Sequence, residues 1–239
     1  MTRLVTIAHG TRLAYGNTVA SELTRAAGER LGIEAVTSYV ELCSPLVTDV
    51  LGPAWPGAEA PTVAVPLLLS TGHHVRHDLP AAVATSYGPV RLGGPLGPDP
   101  LLAHAMVARL RTAGARPGQP VVMVAAGSRD PRATADLDAA AALLAGVWGT
   151  PVRWAALAGL GRRPAEVIRP GDAVASYLLA PGYFADRARS ESLAAGAGVV
   201  SDVLGTHPLL VDLLVTRTES LLAAGDRMAG SLLSGSRRG

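Results

Sequence analysis

Histidine and carboxylate side chains in the first third of the chain have types and spacing suited to metal and proton chemistry. His9, Glu41 and His74 each come shortly after an apolar run that is typical of a buried strand. Ligands bind outside the carboxyl ends of the strands in open α/β sheets, so we expect these three side chains to converge. Two imidazoles and a carboxylate can hold a divalent first-row metal and accept protons near neutral pH. His73 and His77 stand beside His74, and spacing alone does not choose the ligand among the three.

The elements that position these residues follow an alternating pattern. Apolar runs predict strands at Leu4–Ala8, Val36–Val40 and Thr62–Leu69. Helical spacing predicts a helix over about Asn17–Leu31 and a closing helix over Leu101–Ala113. Strands that alternate with helices predict parallel sheets covered by helices on both faces.

An internal repeat indicates that this unit occurs twice. Three segments recur in the same order and at nearly constant spacing, which favours two copies of one α/β unit. The matched pairs are Val5–Arg12 with Val122–Arg129, Leu68–His74 with Leu178–Phe184, and Leu96–Leu102 with Leu204–Leu210. The predicted fold class is therefore α/β, with two similar lobes from an internal duplication, each a parallel sheet flanked by helices.

The length of 239 residues accommodates two such lobes. Gly, Pro and Arg cluster at Gly114–Gln119, which is typical of a linker. We therefore predict a first lobe over residues 1–115 that carries the metal site and a second lobe over 119–225 that lacks the histidines. Residues 226–239 are expected to form a mobile tail.

Composition excludes several classes of function. The net charge of +2 from 21 basic and 19 acidic residues is too even for a dedicated nucleic-acid binder, and aromatic residues make up only 4%. The chain contains no lysine, which excludes Schiff-base and P-loop lysine mechanisms. No apolar run is long enough for a membrane span, so no membrane partner is expected. The single cysteine, Cys43, excludes an internal disulfide, and the expected compartment is the cytoplasm.

The two copies differ at the positions that bear chemistry. The second copy keeps the strand-end glycine and arginine, but Ala126 stands in place of His9. Tyr183 and Phe184 replace His73 and His74. If the histidines served only the fold, both lobes would need them. We therefore expect one lobe to carry the chemistry and the other to act as a wall or lid.

The motifs resemble those of the sirohydrochlorin chelatases, within the class II tetrapyrrole chelatases. The resemblance rests on His9-Gly10-Thr11-Arg12, on Glu41 with Pro45 after it, and on the segment Pro66–Pro80. It covers about residues 3–222, nearly the whole chain. Two departures from the family pattern are Thr11, where Ser is usual, and His77, where an acidic residue is usual.

The resemblance implies that a divalent metal is inserted into a tetrapyrrole held between the lobes. By position in the motifs, His9 and His74 would bind the metal and accept pyrrole protons, with Glu41 assisting. His74 is preferred to His73 because it occupies the slot before Val75-Arg76. Substrate contacts are expected from Gly10, Thr11, Arg12, Ser70, Thr71, Gly72 and Arg129. Of the arginines, Arg12 and Arg129 are favoured because both copies keep them beside the strand-end glycine.

The sequence leaves several alternatives open. Fe²⁺, giving sirohaem, is the first choice of metal, Co²⁺ for cobalamin is close behind, and Ni²⁺ is a third candidate. No cofactor is expected beyond this substrate metal. A non-catalytic metal or tetrapyrrole carrier could use the same crevice, and the chain could be a monomer or a homodimer. A histidine phosphatase would need an arginine before His9, where the chain has Ala8. Asp78, placed before Leu79-Pro80, matches the pattern of a helix N-cap.

Overall fold

Two parallel sheets form the centre of the molecule. The structure is a computed structural model that describes the backbone of residues 2–235 and the side chains of residues 2–225. The first sheet consists of β1 (Arg3–Ala8), β2 (Ala35–Tyr39), β3 (Thr62–Pro66) and β4 (Val90–Leu92). The second consists of β5 (Val121–Ala125), β6 (Val152–Ala156), β7 (Ala173–Tyr177) and β8 (Val199–Val200). Within the described chain, the first sheet has the order β2-β1-β3-β4 and the second the order β6-β5-β7-β8.

Helices connect the strands and cover both faces of each sheet. A π-helical turn at His74–Asp78 precedes the third helix. The helices are α1 (Ala14–Leu31), α2 (Val47–Val50), α3 (Leu79–Ala84), α4 (Pro100–Thr112), α5 (Pro131–Trp148), α6 (Pro164–Val167), α7 (Tyr183–Ala194) and α8 (Pro208–Gly235). The predicted two-lobe α/β fold with parallel, helix-flanked sheets is confirmed.

Alternate residues of each central strand face different helical layers. In β1, Leu4 packs in a large apolar cluster together with Leu23 of α1, whereas Val5 packs in a separate cluster with Val50 of α2 and Leu79 of α3. Both β1 and β5 pair in parallel on both sides, so every β1 residue is buried. Near-continuous apolar runs therefore mark the central strands, as expected for parallel sheets covered on both faces.

The predicted third strand extends three residues too far. β3 ends at Pro66, although the N–H of Leu67 still donates to the carbonyl of Ile7. Beyond that bond the chain leaves the sheet, and the N–H of Leu96 donates to the carbonyl of Leu68. We call residues 67–78 the histidine loop; it ends in the π-helical turn and carries His73, His74 and His77.

The closing helix of each half packs on the sheet of the other half. α4, which ends the first half, packs against α5 and β7 of the second half. α8, which ends the second half, packs against α1 and β3 of the first half. One apolar cluster therefore runs through the middle of the molecule and includes Leu4, Leu102, Met123 and Leu213.

The predicted tail begins inside α8, since this helix continues to Gly235. Residues 236–239 lie outside the described residues. Among the helices that the structure describes, none combines the length and apolar character needed to cross a membrane.

Candidate functional site

His9, Glu41 and His74 come together at the carboxyl ends of the first sheet. One ligand atom from each lies within 4.8 Å of the others. Nε2 of His9 is 3.4 Å from Oε1 of Glu41, and the rings of His9 and His74 meet edge to face with centroids 4.8 Å apart. The side chains of His9, Glu41 and His74 are 46%, 50% and 29% exposed, so all three are open to an incoming ion.

The β2-β1-β3 order explains this convergence. β1 lies between β2 and β3, so the chain crosses to opposite sides of β1 and leaves a crevice at the strand ends. His9 follows β1 and Glu41 follows β2. His74 reaches the same place through the loop that follows β3.

Gly10 allows the end of β1, which is followed by His9, to lie close to the end of β2, which is followed by Glu41. Its φ is +94°, and a Cβ at this position would lie 2.0 Å from the carbonyl oxygen of Glu41. Gly127, the matching residue of the second copy, has φ +87° and would place a Cβ 2.0 Å from the carbonyl oxygen of Ala158. Only glycine fits either position, so the repeat preserves the crossing of two strand ends even where the histidine is lost.

Each of the two facing histidines has one ring nitrogen next to an oxygen acceptor. Nδ1 of His74 lies 2.6 Å from Oδ2 of Asp78, and Nδ1 of His9 lies 3.2 Å from the carbonyl oxygen of Gly10. A carbonyl and a carboxylate only accept, so we assign the proton to Nδ1 in both rings. That tautomer leaves Nε2 of each ring free to bind a metal.

Asp78 is a residue of this site that the sequence pattern misassigned. The N-cap interpretation is wrong, because Asp78 has helical backbone angles and its side chain caps no N–H. The π-helical turn instead brings Asp78 back onto His74, four residues earlier. The His-x-x-x-Asp spacing was the available signal for this pair.

The hydroxyl groups of the two first motifs are held within their own turns. Oγ1 of Thr11 accepts the N–H of Leu13, and Oγ of Ser128 accepts the N–H of Asp130. These bonds explain why a hydroxyl residue stands at this position in both copies. Asn17, which the sequence analysis missed, adds two hydrogen bonds to the backbone of Thr11 at 2.8 and 3.0 Å.

The site opens into a cavity of about 530 Å³ between the lobes. The first lobe contributes His9, Gly10, Thr11, Ser70, Gly72 and His74 to its lining. Leucine and alanine residues from both lobes make up much of the rest, and the second lobe adds the aromatic residues Tyr177, Tyr183 and Phe184. Of these, Tyr183 and Phe184 are 64% and 37% exposed. Aromatic side chains therefore form the part of the cavity wall that matches His73 and His74 in the second copy.

Four of the predicted site residues are not part of this lining. Arg12 and Arg129 are exposed next in sequence to lining residues Thr11 and Ser128. Glu41 also lies outside the lining, beside His9. The backbone N–H of Thr71 donates to Oδ2 of Asp136 at 2.6 Å, which ties Thr71 to the second lobe.

Three contacts fasten the histidine loop to the second lobe. Besides the bond from Thr71 to Asp136, Arg76 pairs with Asp130 at 3.1 Å, and the hydroxyl of Tyr177 donates to the carbonyl of Leu69 at 2.8 Å. The N–H of Arg132 and the guanidinium of Arg76 lower the pKa of the Asp130 carboxyl, so it stays ionised for this ion pair. Burial raises the pKa of the Tyr177 hydroxyl, which keeps it a donor. The second lobe thus fixes the loop that presents His74.

Comparison with known proteins points to one family. Residues 3–113 match the CbiX family model. A sirohydrochlorin cobaltochelatase of Methanopyrus kandleri is 26% identical over 139 residues, which cover 47% of this chain and 97% of the relative. A sirohydrochlorin ferrochelatase of Priestia megaterium is 27% identical over 154 residues, which cover 61% of this chain and 58% of the relative. The chain thus spans a little over half the length of this bacterial relative.

Solved structures share the fold over the whole molecule. The structure described as SirB from Bacillus subtilis with Fe³⁺ superimposes with a TM-score of 0.79 at 21% identity, covering 94% of this chain and 97% of the other. Both sheets and their helices are therefore arranged as in that structure. The chain is therefore similar in sequence to proteins named sirohydrochlorin cobaltochelatase and sirohydrochlorin ferrochelatase, and it shares the fold of SirB.

Proposed function

We propose that this protein is an enzyme that inserts a divalent metal ion into sirohydrochlorin. The observation that carries the proposal is the convergence of His9, Glu41 and His74 beside an apolar cavity between the lobes. The volume of about 530 Å³ falls in the range of pockets that bury a small organic ligand. An apolar cavity with one wall of metal ligands suits a macrocycle that is flat, apolar on its faces and metal-binding at its centre.

The metal is captured by the three converging side chains. Ligand atoms of a first-row ion lie about 2.0–2.2 Å from it, so two neighbouring ligands stand about 3 Å apart. The 3.4 Å separation between His9 and Glu41 needs little adjustment to reach this geometry. Imidazole and carboxylate ligands suit Fe²⁺, Co²⁺ and Ni²⁺ alike, and partial exposure leaves positions for departing water and incoming pyrrole nitrogen.

Insertion also requires proton acceptors. The macrocycle loses two pyrrole N–H protons and gains one dication, so its net charge does not change. His9 and His74 can accept these protons as the metal leaves them, and Glu41 stabilises the imidazolium form of His9. We assign no further cofactor to the protein.

The remaining walls bind the substrate. Tyr183 and Phe184 offer ring faces and edges to the macrocycle. Arg12 and Arg129, exposed near the cavity, are suited to the carboxylates that extend from the ring. Thr11, Ser70, Gly72 and the backbone at Gly10 and Thr71 complete the proposed substrate contacts.

For the metal, we propose Fe²⁺ first and Co²⁺ second. Relatives of both names match this chain at similar identity, 26% for the cobaltochelatase and 27% for the ferrochelatase, so both ions are candidates. The order is tested by competition between equal concentrations of the two ions under anaerobic conditions, with the product identified by its absorbance spectrum. Faster insertion of Co²⁺ would reverse it.

The activity is tested by an anaerobic absorbance assay with sirohydrochlorin and Fe²⁺, Co²⁺ or Ni²⁺. We expect insertion by the natural chain and at least about a 100-fold loss in His9→Ala and in His74→Ala, because each loses a ligand and a proton acceptor. His104→Ala, which changes an exposed histidine of α4, is the control and should match the natural chain. Tight tetrapyrrole binding without insertion of any metal would contradict the enzyme proposal and show that the protein is a carrier.

A further inference from the structure

Two histidines that the proposed reaction does not use face each other at the edge of the site, where His73 lines the cavity and His77 lies beyond it. The rings of His73 and His77 have centroids 4.7 Å apart and are tilted by 34°. Both residues are exposed, His73 with 72% of its side chain accessible. Among the described residues, neither ring makes a hydrogen bond to another group, so their nitrogens are available. His73 stands at the N-cap of the π-helical turn and His77 lies within it, so the two rings, four residues apart, lie beside each other.

Asp78 joins this pair to the site in the crevice. Its Oδ2 contacts Nδ1 of His74, while its Oδ1 lies 4.0 Å from Nε2 of His73. One carboxylate thus has an oxygen directed toward each histidine. The neighbouring cation Arg76 is paired with Asp130, which reduces its repulsion of an arriving metal ion.

The four imidazoles form a continuous series from the surface to the crevice. Successive ring centroids are 4.7 Å apart from His77 to His73, 6.3 Å from His73 to His74, and 4.8 Å from His74 to His9. Each step is short enough for a metal ion to exchange one nitrogen ligand for the next through side-chain rotation.

We propose that His73 and His77, with Oδ1 of Asp78, form an outer binding site for the divalent metal. Two imidazoles and one carboxylate are suitable ligands for Fe²⁺, Co²⁺ or Ni²⁺. The outer site captures the hydrated ion and passes it through His74 to the inner site. The binding step is independent of the proposed chelatase reaction, and only the destination of the ion depends on it.

The binding step is tested with Ni²⁺ alone, without tetrapyrrole, by isothermal titration calorimetry at neutral pH. The natural chain should bind two Ni²⁺ ions. The double variant His73→Ala/His77→Ala should bind one, and the double variant His9→Ala/His74→Ala should lose the other. His104→Ala is the control and should bind two, and circular dichroism checks that each variant is folded.

Two results would overturn the outer site. One is a stoichiometry of one in the natural chain. The other is a His73→Ala/His77→Ala variant that binds Ni²⁺ with the same stoichiometry and affinity as the natural chain.

The transfer step is tested by steady-state insertion with the metal as the varied substrate. In His73→Ala/His77→Ala, the KM for the metal should rise by about tenfold, a larger factor than any fall in kcat. A fall in kcat with an unchanged KM would mean that these histidines do not deliver the ion. Failure of the chelatase proposal would appear differently, as no insertion by the natural chain, and would leave the Ni²⁺ stoichiometry as a separate result.

Discussion

At the scale of single residues, the acceptors behind the two facing histidines differ in strength. His9 is held by a backbone carbonyl at 3.2 Å, whereas His74 is held by the Asp78 carboxylate at 2.6 Å. A carboxylate behind a metal-binding imidazole fixes its orientation and makes its free nitrogen a stronger ligand. His74 is therefore the better oriented of the two proposed ligands.

We predict that Asp78→Ala weakens Ni²⁺ binding at the inner site by about 10–100-fold, because His74 loses its orienting acceptor, and that it also weakens the outer site, which loses Oδ1. Asp78→Asn should weaken it less, since the amide oxygen can still accept the Nδ1 proton. Titration calorimetry measures both. Asp202→Ala, which removes an exposed carboxylate of the second lobe, is the control. Equal affinity in Asp78→Ala and the natural chain would contradict this role.

Residue types and positions after strands were enough to predict that His9, Glu41 and His74 lie together. They were not enough to predict the partner of His74. An aspartate before Leu-Pro fits an N-cap as well as it fits a bond to an earlier histidine. Only the backbone of the π-helical turn, which no residue type specifies, decides between the two.

At the scale of elements, the strand-end turns of β1 and β5 have the same geometry in both copies. Gly10 and Gly127 have left-handed φ values and touch a carbonyl of the neighbouring strand end. Both copies therefore need the glycine to form the turn. Only the first copy also carries the histidine and glutamate of the proposed metal site.

Gly10→Ala and Gly127→Ala should each lower the free energy of unfolding by at least about 1–2 kcal/mol, through the φ value alone. The overlap with a carbonyl oxygen adds to that cost. Only Gly10→Ala should also impair Ni²⁺ binding, because the displaced carbonyl belongs to Glu41. Urea denaturation and titration calorimetry measure the two effects.

The control for this comparison is Gly114→Ala. Gly114 has φ +91°, but no atom lies within 4 Å of its added Cβ. The fall in the free energy of unfolding of Gly114→Ala should therefore reflect the φ value alone, without overlap between the new Cβ and a neighbouring atom. If Gly127→Ala impaired Ni²⁺ binding as much as Gly10→Ala does, the idea that only Gly10 supports the metal site would be refuted.

The order of strands and helices could be predicted because apolar runs and helical spacing are local features. The end of β3 could not, since Leu67–Leu69 are as apolar as the strand before them. What ends the strand is the departure of the loop toward Leu96, which involves residues far apart in sequence.

At the scale of the whole molecule, the second lobe holds the histidine loop through contacts such as that of Tyr177. This hydroxyl crosses between the lobes to the carbonyl of Leu69, from a side chain that is 2% exposed. The second lobe, which lacks counterparts of His9 and His74, thus contributes to the geometry of the site.

Tyr177→Phe should lower the free energy of unfolding by about 1 kcal/mol, because the Leu69 carbonyl loses its donor. Urea denaturation followed by circular dichroism measures the change. Tyr87→Phe, at a tyrosine that is 62% exposed, should change it much less. A Tyr177→Phe protein as stable as the natural chain would show that the bond between lobes contributes nothing.

The repeat was sufficient to predict two lobes, but not the exchange of their closing helices. The apolar residues of α4 and α8 show that each helix must be buried on one face. They do not show which sheet provides the cover, because both sheets descend from the same repeat and present similar surfaces.

This exchange determines when the chain can become stable during synthesis on the ribosome. The first sheet is complete once β4 has emerged, but its cover from α8 comes from the far end of the described chain. Arg30 of α1 pairs with Asp212 of α8, which is 182 positions later. Contacts so distant in sequence slow folding and leave apolar surface exposed in the meantime. The nascent first half is therefore the stage at which this protein most needs protection from aggregation.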